Sequence, residues 1–285
     1  MSVVITGATG HLGRLVVEDL LARGVRADRI TATARDTARL ADLADRGVRT
    51  ARADFDDPAS LKEALAGADT LLLVSGSEVG GRVAQHRNVV EAARGAGVGH
   101  LVYTSAPRAT DTTLVLAPEH GATEEIITAS GLAYTILRNG WYNENFAQKL
   151  EEARVTGAFV GSAGQGRTAS ASRQDLAEAA SVVLRDPGAH AGAVYELSGD
   201  TAWTYDDLAA TLGELLGREV VYRDLTTEEH VAALTGAGLD EDTARFVAAL
   251  DTNTRDGELS DTTGELSRLI GRPTTPVAET LRALL

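Results

Sequence analysis

Six short apolar runs punctuate the first 140 residues: Val3–Thr6, Ile30–Ala34, Val48–Ala53, Thr70–Ser75, Leu101–Ser105 and Ala133–Arg138. Each is rich in Val, Ile, Leu or Thr and is too short for a helix, which predicts strands. The stretches between them carry helical spacing instead, as in Leu12–Arg23, Ala59–Ala66 and Val83–Ala96, and Pro58 suits the first turn of the second. Strand and helix alternating at this interval imply βαβ crossovers and a parallel sheet covered on both faces.

Beyond residue 150 the rhythm changes. The glycine-rich Phe159–Gly166 reads as a loop, and a helix is expected over Asp175–Leu184, stopped by Asp186-Pro187-Gly188. Val194–Leu197 and Val220–Arg223 read as strands, Tyr205–Leu216 as a helix, and helices fill most of the remainder. Glu228-Glu229 and Asp240-Glu241-Asp242 mark helix N-termini. The expected division is a nucleotide-binding domain over 1–150, with 168–186 returning to it, and a smaller acidic substrate-side lobe over 151–285.

The 285 residues carry 27 Lys and Arg against 41 Asp and Glu, a net charge of −14. The excess is uneven: residues 1–150 hold 16 basic and 18 acidic side chains, the rest 11 and 23. Nucleic acid is therefore not an expected partner. No apolar run reaches membrane-span length and no targeting segment is visible, so a cytoplasmic protein is expected. The absence of cysteine excludes disulfides and thiolate metal sites, and no His/carboxylate pairing suggests a metal. Oligomeric state leaves no trace in the sequence.

Gly7-Ala8-Thr9-Gly10-His11-Leu12-Gly13 follows the first strand and opens the first helix. The three glycines fit a tight turn, a close backbone approach to a pyrophosphate, and close helix–strand packing, while the helix N-terminus offers free N–H groups to phosphate. In this context the motif points to a dinucleotide. At the end of the second strand an NAD site usually presents a carboxylate, whereas this chain has Arg35, a residue suited to a 2′-phosphate or else a solvated loop arginine. NADPH is the expected cofactor. Asp54-Phe55 either contact an adenine or cap the next turn, and Val74-Ser75-Gly76-Ser77 place small residues beside a ribose or form a plain turn. Gln85 and His86 begin a helix near the cofactor, His86 with a structural role.

These residues resemble the atypical, NmrA-like branch of the short-chain dehydrogenase/reductase superfamily, and within it the type 2 NAD(P)H:quinone oxidoreductases. The resemblance spans almost the whole chain. Its most specific pieces are Ser75–Arg82 with Gln85-His86-Arg87-Asn88-Val89-Val90, then Tyr103-Thr104-Ser105, Leu137–Asn145, and Leu269–Thr275. It implies an α/β fold, a doubly wound parallel Rossmann sheet with a smaller C-terminal α/β lobe, and flavin-free, metal-free reduction of quinones by NADPH. Gln85, Thr104, Ser105, Arg138, Asn139 and Gly140 join the glycine motif as expected cofactor contacts.

The superfamily's Tyr-x-x-x-Lys is replaced here by His120-Gly121-Ala122-Thr123-Glu124, an arrangement the resemblance implies for the quinone-reducing relatives too. Reduction of a ketone builds an alkoxide, with a conjugate acid near the ~15.7 of water. A quinone gives a phenolate-like anion, with a conjugate acid near ~10. That difference spares roughly 8 kcal/mol of anion stabilisation, so a dedicated strong acid is dispensable. Trp141 and Tyr142 offer flat faces to a quinone or else fill core, and Asn143 is placed to donate to its carbonyl. His120 is either a proton donor or a solvated histidine at a helix start, and with Tyr142 and Asn143 completes the expected catalytic set. Two other functions fit the same fold: an NADP(H)-binding redox sensor of NmrA type without turnover, and a reductase of another conjugated carbonyl.

Overall fold

The computed structural model describes residues 2–78 and 80–285; Val79, inside the Ser75–Arg82 motif, lies outside them. The strands are β1 (Val3–Ile5), β2 (Ile30–Ala34), β3 (Arg49–Arg52), β4 (Thr70–Leu73), β5 (His100–Ser105), β6 (Ala133–Asn139), β7 (Ala158–Gly161), β8 (Arg167–Thr168), β9 (Val194–Leu197), β10 (Trp203–Thr204) and β11 (Val221–Asp224). The helices are α1 (His11–Ala22), α2 (Ala41–Asp45), α3 (Pro58–Ala64), α4 (Arg82–Ala96), α5 (Ala117–Ala129), α6 (Ala147–Thr156), α7 (Arg173–Arg185), α8 (Tyr205–Leu216), α9 (Thr227–Gly236), α10 (Glu241–Arg255), α11 (Glu265–Ile270) and α12 (Val277–Arg282).

Seven strands form one sheet in the order β3-β2-β1-β4-β5-β6-β9. β1 pairs in parallel with both β2 and β4, and β2–β3, β4–β5 and β5–β6 are parallel too. The chain thus winds outward from β1 in one direction, then returns to β4 and winds outward in the other. This reversal beside β1 opens a crevice at the carboxyl ends of the strands, where such sheets take ligands. The fold is the doubly wound α/β class read from the sequence. β4 and β5 are buried along their whole length, as inner strands must be, whereas edge strand β3 is largely exposed and carries Arg49 and Arg52.

Strand ends explain the small boundary differences. Thr6 and Val74, expected within strands, lie just past them. The Thr6 hydroxyl accepts from Val74 N at 2.9 Å and donates to Leu72 O at 3.2 Å, so a side chain takes over where the ladder stops. α1 turns Leu12, Val16, Val17 and Leu20 inward at helical spacing and packs on α7. The Arg23 guanidinium joins the two helices by pairing with both Asp19 and Glu178.

Two compact units emerge, one of Met1–Thr110, Pro118–Asn139 and Arg173–Glu196, the other of Asp111–Ala117, Gly140–Ser172 and Leu197–Leu285. Residues 140–150, placed with the N-terminal domain on sequence grounds, group with the second unit. The core of the first unit includes Val4, Leu61, Leu71, Leu73, Val89, Leu101, Tyr103 and Ile136. The second unit has its own core of Phe146, Leu150, Phe159, Trp203, Tyr205, Leu208 and Leu281. There Phe159 stacks on Tyr222 at 5.4 Å, and Phe146 meets Trp203 edge-on at 4.7 Å.

One expectation fails in the second unit. Residues 158–161 form β7, paired in parallel with β11, although Phe159–Gly166 read as loop. Gly161 misled the reading: a side chain there would meet Asp251 Oδ2 at 2.7 Å, so the glycine serves packing within a strand. The acidic clusters behave as read: Glu229 completes a capping box with Thr226, and Asp240 caps α10. Among the described residues no helix is long and apolar enough to cross a membrane.

Candidate functional site

The glycine turn between β1 and α1 forms one wall of a groove of about 430 Å³ in the first unit. Gly7 has φ +61°, open to glycine at little cost, and its carbonyl accepts from Gly10 N at 2.9 Å. A Cβ on Gly13 would sit 2.5 Å from Gly7 O, so only glycine lets α1 approach the turn this closely. Gly10 caps the helix without any side-chain hydrogen bond to the first-turn N–H groups. These amides and the helix dipole make the wall receptive to an anion.

Around the groove stand Thr9, Arg35, Arg39, Asp54 and Phe55, with Val74–Ser77, Glu78 and Gln85 opposite. Eleven of the expected cofactor residues therefore come together: Gly7, Thr9, Gly10, Arg35, Asp54, Phe55, Val74, Ser75, Gly76, Ser77 and Gln85. Ala8 and Leu12 point into the core, and His11 is exposed outside the groove. Asp54 also caps the following turn, accepting from Asp56 N at 3.2 Å, and pairs with Arg52. Arg35 reaches Glu78 at 3.1 Å.

Beneath the groove a buried polar chain fixes the loop after β4. Gly76 N donates to His86 Nε2 at 3.0 Å, which leaves the His86 proton on Nδ1 to be donated to Thr123 Oγ1, also at 3.0 Å. Thr123 passes its own proton to Glu119 O. Arg82, 5 % exposed, donates to Gly76 O at 2.7 Å and pairs with Glu119, which also accepts from Gly80 N. Thr104 accepts from Ser75 N at 2.9 Å, holding the same loop from β5.

His120 corrects the sequence reading. It is buried, 2.8 Å from the Tyr103 hydroxyl, and burial with the nearby Arg82 charge lowers its pKa to about 3. The imidazole is neutral at neutral pH, so neither an imidazolium donor nor a solvated helix-start histidine describes it. Burial lowers His86 to about 3 as well, with smaller contributions from His120 and Arg82. Desolvation also raises the Tyr103 phenol above its ordinary value.

Three more residues expected at the cofactor serve the framework. Ser105 donates to Glu124 Oε1 at 2.5 Å. Arg138 grips Glu124 at 2.6 Å and Glu196 at 2.9 Å, and also donates to Thr110; hydrogen bonding to Glu124 leads the causes that raise its pKa above the arginine norm. Glu124 occupies the position of the superfamily's missing lysine and ties β5 to β6. Gly140, in the second unit, donates to Leu197 O at 2.8 Å, and a Cβ there would lie 2.9 Å from that same oxygen. Asn139 differs: it is 6 % exposed, and its Oδ1 has no hydrogen-bond partner among the described residues.

Asn143 is a correction too. It is fully buried, donates to Thr275 O and Thr280 Oγ1 at 3.1 and 3.0 Å, and accepts from Ser170 Oγ at 2.6 Å. Both amide protons are committed to tying Asn143 to α12 and the residues just before it, and none remains for a substrate carbonyl. Trp141 and Tyr142 are half-buried; Trp141 packs against the second core, and Tyr142 bridges to Ala171. Sequence reasoning missed Arg39, Asp56 and Glu78. Glu78 had a signal, its place in the Ser75–Arg82 stretch; Arg39 and Asp56 had none. Among the described residues no group of His, Asp and Glu is clustered to hold a metal.

The comparisons agree with this geometry. Residues 7–187 match the NAD(P)H-binding family. The chain is 45% identical over 282 residues to quinone oxidoreductase 2 of Escherichia coli (strain K12), covering 99% of this chain and 98% of that protein. The crystal structure of an Escherichia coli NADPH-dependent quinone oxidoreductase complexed with NADPH superposes with a TM-score of 0.95 over 99% of both chains, at 45% identity. The Citrobacter sp. triphenylmethane reductase complexed with NADP(H) gives 0.95 at 39% identity over 100% of both chains. With a tight glycine turn at the N-terminus of α1, a sheet reversal beside it, and this likeness along the whole length, the chain belongs to the NAD(P)H-binding family.

Proposed function

We propose that this protein reduces quinones with NADPH, transferring two electrons directly and without flavin or metal. The observation that carries the reading is the full-length likeness to an NADPH-bound quinone oxidoreductase, and the groove meets the demands of that cofactor. The Gly7–Gly13 turn and the open first turn of α1 take the pyrophosphate. Arg35 and Arg39, four residues apart at the end of β2, take the 2′-phosphate. Phe55 and Asp54 flank the adenine, and Val74–Ser77 flank a ribose. At the end of β6, outside the groove lining, the buried Oδ1 of Asn139 has no hydrogen-bond partner among the described residues, and we assign it to accept from the nicotinamide carboxamide. The first unit is then the nucleotide-binding domain.

Bound NADPH would supply the hydride equivalent. The chain's own contribution is to bind, orient and keep the loop after β4 in place. His120 is neutral and its Nδ1 is engaged with the Tyr103 hydroxyl, so it is no imidazolium acid, and the proton of the phenolate-like product is assigned to water. A quinone tolerates this, since its reduced anion is stabilised by its own ring. Trp141 and Tyr142 are assigned to the quinone on the chemistry of their ring faces alone.

The test is loss of reduced-nicotinamide absorbance when the purified protein meets NADPH and 1,4-benzoquinone. Turnover no faster than the uncatalysed background refutes the enzyme. Tight NADPH binding without turnover would point instead to a redox sensor.

A further inference from the structure

Building on the assignment of NADPH to the groove, we propose that Glu78 sets cofactor preference: its carboxylate competes with the 2′-phosphate for Arg35 and so moderates selection of NADPH over NADH. One oxygen of Glu78 lies 3.1 Å from Arg35 Nη1. The other accepts from Gln85 Nε2 at 2.8 Å, and Gln85 also donates to Asp56 at 3.0 Å. Glu78 is therefore oriented from α4 across the groove toward the end of β2. Its loop is anchored on either side, by Arg82 on Gly76 O and by Glu119 on Gly80 N.

The carboxylate has two consequences. It supplies the arginine with a counter-ion that a phosphate must displace, and the pair is exposed enough, 74% and 52%, for displacement to be easy. It also leaves a negative charge beside any phosphate that replaces it, with Asp54 and Asp56 lining the same groove. A nucleotide with a plain 2′-hydroxyl meets neither obstacle, since a hydroxyl can donate to a carboxylate. Arg35 favours NADPH and Glu78 narrows the margin.

The experiment is calorimetric titration of wild type, Glu78→Gln, Arg35→Ala and the double variant with NADPH, NADH and adenosine 2′,5′-bisphosphate. The bisphosphate reports on the 2′-phosphate site without the nicotinamide. Glu78→Gln is expected to tighten NADPH and the bisphosphate about 3–10-fold while NADH changes by less than about twofold. In the Arg35→Ala background the gain should fall below about twofold. Unchanged or weakened NADPH binding in Glu78→Gln, an equal gain for NADH, or a gain that survives loss of Arg35 overturns the proposal while the nucleotide assignment stands. Wild-type protein that binds no NADPH overturns the assignment and the proposal together.

Discussion

Replacing Gly13 by alanine tests the physical basis of the site. The added methyl would lie 2.5 Å from Gly7 O, 2.9 Å from Gly7 C and 3.0 Å from Thr6 O. All three are backbone atoms, so no rotamer change relieves the contact, and α1 must retreat from the turn by roughly 1 Å to reach ordinary van der Waals separation. Overpacking of this kind costs about 1–3 kcal/mol. The helix-propensity gain of Gly→Ala, at most about 1 kcal/mol in a helix interior, offsets only part of that at the third helical position. A net loss of about 1–2 kcal/mol corresponds to a melting temperature lower by roughly 2–3 °C for a chain of this size. The retreat also moves the first-turn N–H groups, and NADPH affinity should fall at least about tenfold, since a shift of about 1 Å is enough to spoil such contacts. Gly95→Ala is the matched control. It lies on α4 with nothing within 4 Å of the position its new methyl would take, so it should gain about 0.5–1 kcal/mol and leave NADPH binding alone. Thermal melts and NADPH titrations of the pair decide between the outcomes: a Gly13→Ala protein that melts at or above the wild-type temperature and binds NADPH normally overturns this account of the turn.

Arg35→Ala should weaken NADPH about 10-fold or more by titration, with NADH affected far less, because only NADPH brings a phosphate to the guanidinium. Arg138→Ala leaves the buried Glu124 carboxylate with Ser105 but without its cation and should destabilise the protein by about 3–5 kcal/mol in denaturant unfolding. His86 and His120 have folded pKa values of about 3 against 6.5 for an unperturbed imidazole, so the unfolded chain binds more protons and stability is lost as pH falls through that window. Two such protons give a slope of up to about 2.7 kcal/mol per pH unit, measured by melts between neutral and mildly acid pH, and His120→Gln should remove about half of it.

The fold was legible because its signals are local. Apolar runs of strand length at regular intervals admit one arrangement when helices intervene, and the glycine spacing fixes which strand comes first. Legibility declined in the second unit for the reverse reason. β7 contains Gly161, whose missing side chain answers to Asp251, ninety residues further along the chain; no window around Phe159 contains that fact. The boundary at 140–150 was equally opaque, since those residues join the second unit through partners such as Thr275 and Thr280, while the return of the chain to the first unit near residue 173 matches the expected return over 168–186.

The site divides along the same line. Residues read for their backbone role, Gly7 and Gly13 above all, took the tight turn and the close helix–strand approach expected of them, because a glycine's use depends on conformation that the neighbouring strand and helix already specify. Residues read for their side chains depended on who else competes for them. His120, Asn143 and Arg138 each have the chemistry attributed to them, and each is already engaged: with Tyr103, with Thr275 and Thr280, with Glu124 and Glu196. A hydrogen-bonding group held by buried partners is closed to a ligand unless the ligand offsets the full loss, about 1–3 kcal/mol for each buried group left unpaired. Asn139 Oδ1, buried and unclaimed, stands on the other side of that inequality, since leaving it unmatched is itself the penalty. At this site the side-chain candidates left open to a ligand are therefore Asn139 Oδ1 and the easily displaced Glu78–Arg35 pair.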